Sequence, residues 1–135
     1  MTTQLYTHDI FVEHLTPQGH PERPDRMRAV AKALSDESFD GLERHATELA
    51  DDGLFALAHP QAYVAGIRDI APQEGRVRVD ADTTMSPKSW DCVRHAVGGG
   101  IAAIDAVFAK QADNAFISAR PHCRYFFGVV AMGAG

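Results

Sequence analysis

Seven histidines, two cysteines and eighteen Asp or Glu residues are the groups in this sequence with metal or acid–base chemistry to offer. A zinc hydrolase needs three protein ligands around an open coordination position, yet no HExxH, HxH, CxxC or Asp-x-His spacing occurs. His122-Cys123 is the only adjacent pair of soft donors. Successive side chains on an extended chain point to opposite faces, so this pair reads as plain tail. Cys92 falls one residue off the apolar face of a helical run with no basic partner placed beside it, which reads as a partly buried thiol and not a nucleophile. Gly98, Gly99 and Gly100 follow several turns of helix and precede no Lys-Ser/Thr, so they are packing glycines and not a phosphate loop. Asp80, Asp82 and Thr83 offer oxygen donors for a hard cation, but two carboxylates without further donor spacing read as a solvated turn. On spacing alone, no catalytic residue and no metal ligand is assigned.

The elements that would hold these groups follow from periodicity. Leu5 to Val12 mixes aromatic and β-branched residues and runs into the turn Thr16-Pro17-Gln18-Gly19, which predicts a strand leaving into a loop. Pro24 suits the first turn of a helix, and Met27, Val30, Ala31 and Leu34 continue its apolar face to about Ser35–Ser38. Leu42 to Thr47 reads as a short strand. Asp51 or Asp52 then caps a helical stretch through Leu54, Leu57 and Ala58, and Pro60 opens a further turn with Tyr63, Val64 and Ile67 on one face. Pro72 to Gly75 is a turn, Arg76 to Asp80 an edge strand, and Asp80 to Met85 polar loop. Ser86 as N-cap and Pro87 as first helical residue begin a long helix with Trp90, Val93, Val97, Ile101, Ile104 and Phe108 on one face. Three glycines inside it cost roughly 2 to 3 kcal/mol relative to alanine, so something packs close to the backbone there. Asn114 to Ala119 has the composition of a buried strand in a parallel sheet. The alternation predicts an α/β fold with right-handed crossovers.

At 135 residues and 45% hydrophobic content the chain has enough apolar surface for a core. A net charge of −5, with Lys and Arg scattered, excludes a phosphate-backbone surface and direct nucleic-acid binding. No stretch approaches the ~20 apolar residues that cross a bilayer, and Met1 to Gln4 lack a signal-peptide pattern. Two cysteines without paired spacing fit a reducing compartment, so the expectation is a soluble, cytoplasmic protein.

Beyond spacing, three blocks carry a resemblance. His14 followed by Gly19-His20-Pro21-Glu22-Arg23-Pro24-Asp25-Arg26-Met27 is similar to the first-loop signature of the histone deacetylase family, including its acetylpolyamine amidohydrolase and acetoin-utilisation branches. Asp82-Thr83-Thr84-Met85-Ser86-Pro87-Lys88-Ser89-Trp90-Asp91, then Val97-Gly98-Gly99 and Asp113-Asn114-Ala115-Phe116, resemble its second block in order and spacing. Arg120-Pro121 opens the block that reads Arg-Pro-Pro-Gly-His-His in the family, and Ala131-Met132-Gly133 resembles its next short match. Residues 1–121 are family-like and 122–135 a divergent tail, with no domain boundary across 1–135.

The resemblance implies the N-terminal portion of a three-layer α/β/α arginase-deacetylase fold with a parallel sheet. The family uses zinc to hydrolyse acetyl-amide bonds, in acetyl-lysine proteins or acetylated small molecules such as acetylpolyamines, to amine and acetate. Its paired histidines correspond to Arg124 and Tyr125 here, neither of which replaces a neutral imidazole near pH 7. Its Asp-x-His zinc ligands have no counterpart in this sequence, so the chain is expected to bind no zinc and to be inactive alone. By position, Arg26 aligns with the arginine lining the family's internal channel and Asp82 with the rim aspartate that holds the substrate backbone. The alternatives are a helix-start arginine pairing with Asp25 or Glu22, and a loop cap at Asp82. The resemblance thus implies a truncated or divergent deacetylase-like protein. The rival readings are a non-catalytic module that binds a partner, itself or a second chain, and a gene-fragment relic.

Overall fold

The structure, a computed structural model, describes residues 1–121. Strand β1 (Thr3–Thr7) is central in a three-stranded parallel sheet, flanked by β2 (Leu42–Ala46) and β5 (Asn114–Ile117). The register sets Gln4 beside Glu43 and Ala115, and Tyr6 beside His45 and Ile117. Alternation sends this set to one face and Leu5, Arg44 and Phe116 to the other. The long helix α4 (Ser89–Phe108) covers the first face, where the Tyr6 hydroxyl reaches the Ala102 carbonyl at 3.4 Å. On the second face Arg44 donates to the Leu34 carbonyl at the end of α1 (Pro24–Leu34). Between β2 and α4 the chain forms α2 (Asp52–Phe55), α3 (Gln61–Asp69) and an antiparallel pair, β3 (Val77–Arg78) with β4 (Thr84–Met85). Parallel strands joined through helices are the predicted architecture.

Two buried clusters hold these layers together. Ala50, Phe55, Val64, Ile67, Met85, Trp90 and Val93 join α2, α3 and the hairpin to the start of α4, with Phe55 stacked on Trp90 at 5.2 Å. Phe11, Met27, Cys92 and Ala96 join the segment after β1 to α1 and α4.

Several local expectations are corrected. The strand predicted over Leu5 to Val12 pairs only through Thr7, and Asp9–Val12 is a single 3-10 turn, because the His8 ring accepts the Ile10 N–H and caps it. Asp51 caps α2 as expected through the Gly53 N–H, but the helix closes at Phe55 and continues only as turns to His59. The segment read as polar loop up to Met85 contains β4, with Met85 fully buried. Ser86 does not cap the long helix, and Pro87 is not its first residue. The helix starts at Ser89 with no side-chain cap, since Ser86 turns inward and its hydroxyl accepts the Leu15 N–H at 2.9 Å.

The glycines decide how α4 sits. A Cβ at Gly98 would overlap the Glu48 carbonyl oxygen, and one at Gly99 would lie 2.5 Å from the Thr47 methyl, whereas Gly100 faces open space. Close approach at the first two sets the rotation of the helix. Ala103 and Ala106 then face the sheet, while Ile104 and Phe108, predicted on the buried face, are 58% and 84% exposed. Likewise β5 is less buried than predicted, with Phe116 half exposed and no strand on its outer edge among the described residues.

Candidate functional site

The loop from Glu13 to Arg23 is built on side-chain bonds. The Thr16 hydroxyl donates to the Glu22 carbonyl at 2.6 Å, and Arg76 donates to the Thr16 carbonyl at 3.2 Å. Gly19 turns the chain with φ of 80°, a conformation that favours glycine. His20 ties this loop to the Asp80–Thr83 loop. Its Nε2–H donates to the Asp82 carbonyl at 3.2 Å while Nδ1 accepts the Glu22 N–H at 3.1 Å.

Beneath the loop lies a buried polar core. Arg120, 2% exposed, donates to both carboxylate oxygens of Glu22 at 3.0 and 2.5 Å, and to the Phe11 and His14 carbonyls at 3.1 and 2.5 Å. Burial alone would raise the Glu22 carboxyl, but the Arg120 hydrogen bonds and charge outweigh it and hold the group below its ordinary value. His14 Nδ1 lies 2.6 Å from the Ser89 hydroxyl, and its Nε2 is 3.8 Å from Glu22. Burial, then the Arg120 charge, pulls His14 down to about 4, so its ring is neutral at pH 7.

Carboxylate, imidazole and hydroxyl in line are the parts of a nucleophilic triad. Ser89 has no exposed surface, however, and its oxygen accepts the Ser86 N–H at 2.7 Å. The line therefore anchors the loop to α4 and has no route to a substrate. Cys92 is equally closed off. Its thiol, predicted as partly buried, is wholly buried, donates to the Ile10 carbonyl at 3.0 Å and is pushed up to about 12, chiefly by burial.

The two residues assigned by resemblance flank this core. Asp82 is exposed and lines a small pocket with His14, Thr16, His20, Glu22 and Thr83. Its backbone N–H is held by the Asp80 carboxylate at 2.8 Å, which lowers the Asp80 carboxyl and leaves the Asp82 side chain outward. Arg26, its side chain 60% exposed, lies 3.5 Å from Glu22 and lines a second groove with Met27, Val30, Phe116 and Arg120. Glu22 borders both. Sequence reasoning missed the parts played by Arg120, Ser86 and Ser89. A lone arginine closing an apolar strand was the available signal, since a buried guanidinium needs a carboxylate.

The described residues do not fit zinc. No three His, Cys, Asp or Glu side chains converge among them, and the closest imidazole and carboxylate, His14 and Glu22, are engaged by Ser89 and Arg120. His122-Cys123, Arg124, Tyr125 and Ala131-Met132-Gly133 lie outside the described residues.

A parallel sheet between helices, with a loop-framed pocket beyond its strand ends, makes this a portion of an α/β domain, and comparison with known proteins gives its family. Residues 20–124 match the histone deacetylase domain. The chain is 34% identical over 113 residues to a histone deacetylase-like amidohydrolase of Pseudomonas aeruginosa, covering 78% of this chain and 28% of that protein. It is 28% identical over 137 residues to a probable deacetylase of Archaeoglobus fulgidus, covering 95% of this chain and 37% of that one. The crystal structure of the HDA15 HD domain superposes with a TM-score of 0.82 over 99% of this chain and 44% of its own, at 21% identity, a likeness of fold. This chain belongs to the histone deacetylase family, and it spans between about a quarter and a half of the length of these relatives.

Proposed function

We propose that this chain forms the rim and inner-channel portion of a zinc-dependent acetyl-amide hydrolase site and does not hydrolyse acetyl-amides by itself. The observation that carries this reading is that Glu22 borders two grooves, one lined by Asp82 and the other by Arg26. The Asp82 carboxylate, free of its own loop's hydrogen bonds, is available to accept N–H groups from an extended acetylated ligand. Arg26, half held by Glu22, offers a cation for the small carboxylate that such a hydrolysis releases. Inactivity rests on Arg124 and Tyr125 at the positions of the family's histidine pair. Substrates of the complete site would be acetyl-lysine proteins or acetylated small molecules, and the setting cytoplasmic. No helix among the described residues is long and apolar enough to cross a membrane.

The test is zinc content together with deacetylation of a fluorogenic acetyl-lysine peptide and an acetylpolyamine, with added metal and with a chelator. No stoichiometric zinc and no chelator-sensitive turnover in a folded sample is the expected result. Stoichiometric zinc with chelator-sensitive turnover would overturn the reading.

A second reading, a non-catalytic module docking another chain, is favoured by the edge of β5, unpaired among the described residues, beside the half-exposed Phe116. Light scattering across a concentration series checks it: self-docking predicts a mass that rises with concentration, and a constant monomer mass removes that form of the reading.

A further inference from the structure

His8 and His95 stand apart from the site above, where the carboxyl ends of β1 and β2 meet the first half of α4. Their ring centroids are 4.2 Å apart and the planes are inclined by 31°. His95 Nδ1 lies 2.9 Å from the Thr47 carbonyl oxygen and 3.0 Å from its hydroxyl. A carbonyl only accepts, so His95 carries its proton on Nδ1. His8 is the reverse: its Nδ1 accepts the Ile10 N–H at 3.0 Å, so that nitrogen must be bare and the proton sits on Nε2. The two rings are thus held in opposite tautomers by backbone groups of two different segments.

We infer that the His8–His95 pair is an acid-sensitive latch on the first loop: a proton gained by His95 sets a cation against the ring that caps the 3-10 turn Asp9–Val12, releasing the turn and loosening the Glu13–Arg23 loop that follows. A proton on His95 Nε2 places a cation against the face of a second imidazole. The groups bearing on His95 are few among the described residues. From its own helix Asp91 favours the cation and Arg94 opposes it; His8 at the end of β1 opposes it; Thr47, after β2, and Phe11, edge-on at 6.4 Å, carry no charge. Burial first, and His8 second, push His95 below its ordinary value.

The turn is a consequential place for such a latch. It carries the fully buried Phe11, whose carbonyl takes a hydrogen bond from Arg120, and the Ile10 carbonyl that holds the Cys92 thiol. The loop beyond it supplies His14, His20 and Glu22. The sign follows from linkage: a histidine lowered in the folded state contributes stability that is complete above its unfolded value of 6.5 and is lost as pH falls below that.

Thermal melts of the full chain at about pH 7.5 and about pH 5, for the wild type, His8→Asn and His95→Gln, test the latch. Asparagine keeps a side-chain acceptor at the cap and removes the ring that a His95 cation would face. Both variants keep His14, so its acid response cancels in the comparison. The expected result is a Tm that falls by about 3 °C or more further in the wild type than in either variant, as a loss of this kind produces in a domain of this size. Equal falls in all three would overturn the proposal. Should a variant not fold, ring and amide resonances of the wild type decide it: the Ile10 amide must shift with the midpoint at which His95 titrates, and an Ile10 amide that stays fixed through that titration refutes the latch.

Discussion

The two ends of the β5 region are finished in opposite ways. Just past the strand, Arg120 makes four hydrogen bonds to Glu22, Phe11 and His14, so the first loop closes upon polar groups of the same chain. Along the strand itself, the outer edge is unpaired among the described residues and Phe116 is half exposed. The reverse side of the layer carries Ile104 and Phe108, also open. The difference shows which interactions a chain must complete internally. A buried charge without its partner costs several kcal/mol, so the Arg120–Glu22 pair is satisfied on the spot. An exposed aromatic costs only its own transfer free energy and can be covered later by more protein.

The largest effect that would break this comparison is expected from Arg120→Ala. It strands the Glu22 carboxylate and two backbone carbonyls and should cost about 3 to 5 kcal/mol in denaturant unfolding. The exposed Arg28–Asp25 pair, 2.8 Å apart, provides the contrast, and Arg28→Ala should cost under about 1 kcal/mol. Equal costs for the two would remove the distinction. A middle-sized effect is expected at α4. Gly98→Ala, which must displace the Glu48 carbonyl, should destabilise by about 1 to 3 kcal/mol, while Gly100→Ala should stabilise by up to about 1 kcal/mol because nothing opposes the gain in helix propensity. Urea midpoints of the two variants moving in the same direction would show that contact does not set the rotation of this helix. The smallest effect belongs to the open side. Phe108→Glu should change stability by less than about 0.5 kcal/mol and raise the concentration at which the protein stays in solution. A large loss of stability would mean that Phe108 is covered in solution.

What was legible in the sequence follows the range of the interaction. The helix at Pro24, the cap at Asp51 and the span of α4 depend on residues a few positions apart, and periodicity found them. Family likeness found the fold. The rotation of α4 did not follow, because apolar spacing at Ile104 and Phe108 fits one face, whereas the backbone of Thr47 and Glu48 against Gly98 and Gly99 selects another. Ser86 carried a capping residue's signature, but its hydroxyl is claimed by Leu15, seventy-one positions away. Asp82 and Arg26 were assigned by resemblance, and Glu22, which borders both their grooves, was named only as an alternative partner for Arg26, a pairing the structure contains at 3.5 Å. Arg120 was quoted only as half of a motif, since nothing nearby in the chain reveals that its partners lie about a hundred residues earlier.

The closed environment of Cys92 turns a silent residue into a clock. With its thiol held at the Ile10 carbonyl and pushed up to about 12, almost no thiolate exists at neutral pH in the folded protein. Alkylating reagents and oxidants therefore meet it only during the moments when the first turn has lifted away. Its rate of modification is set by the fraction of time the thiol lies open, a state that the resting structure never displays.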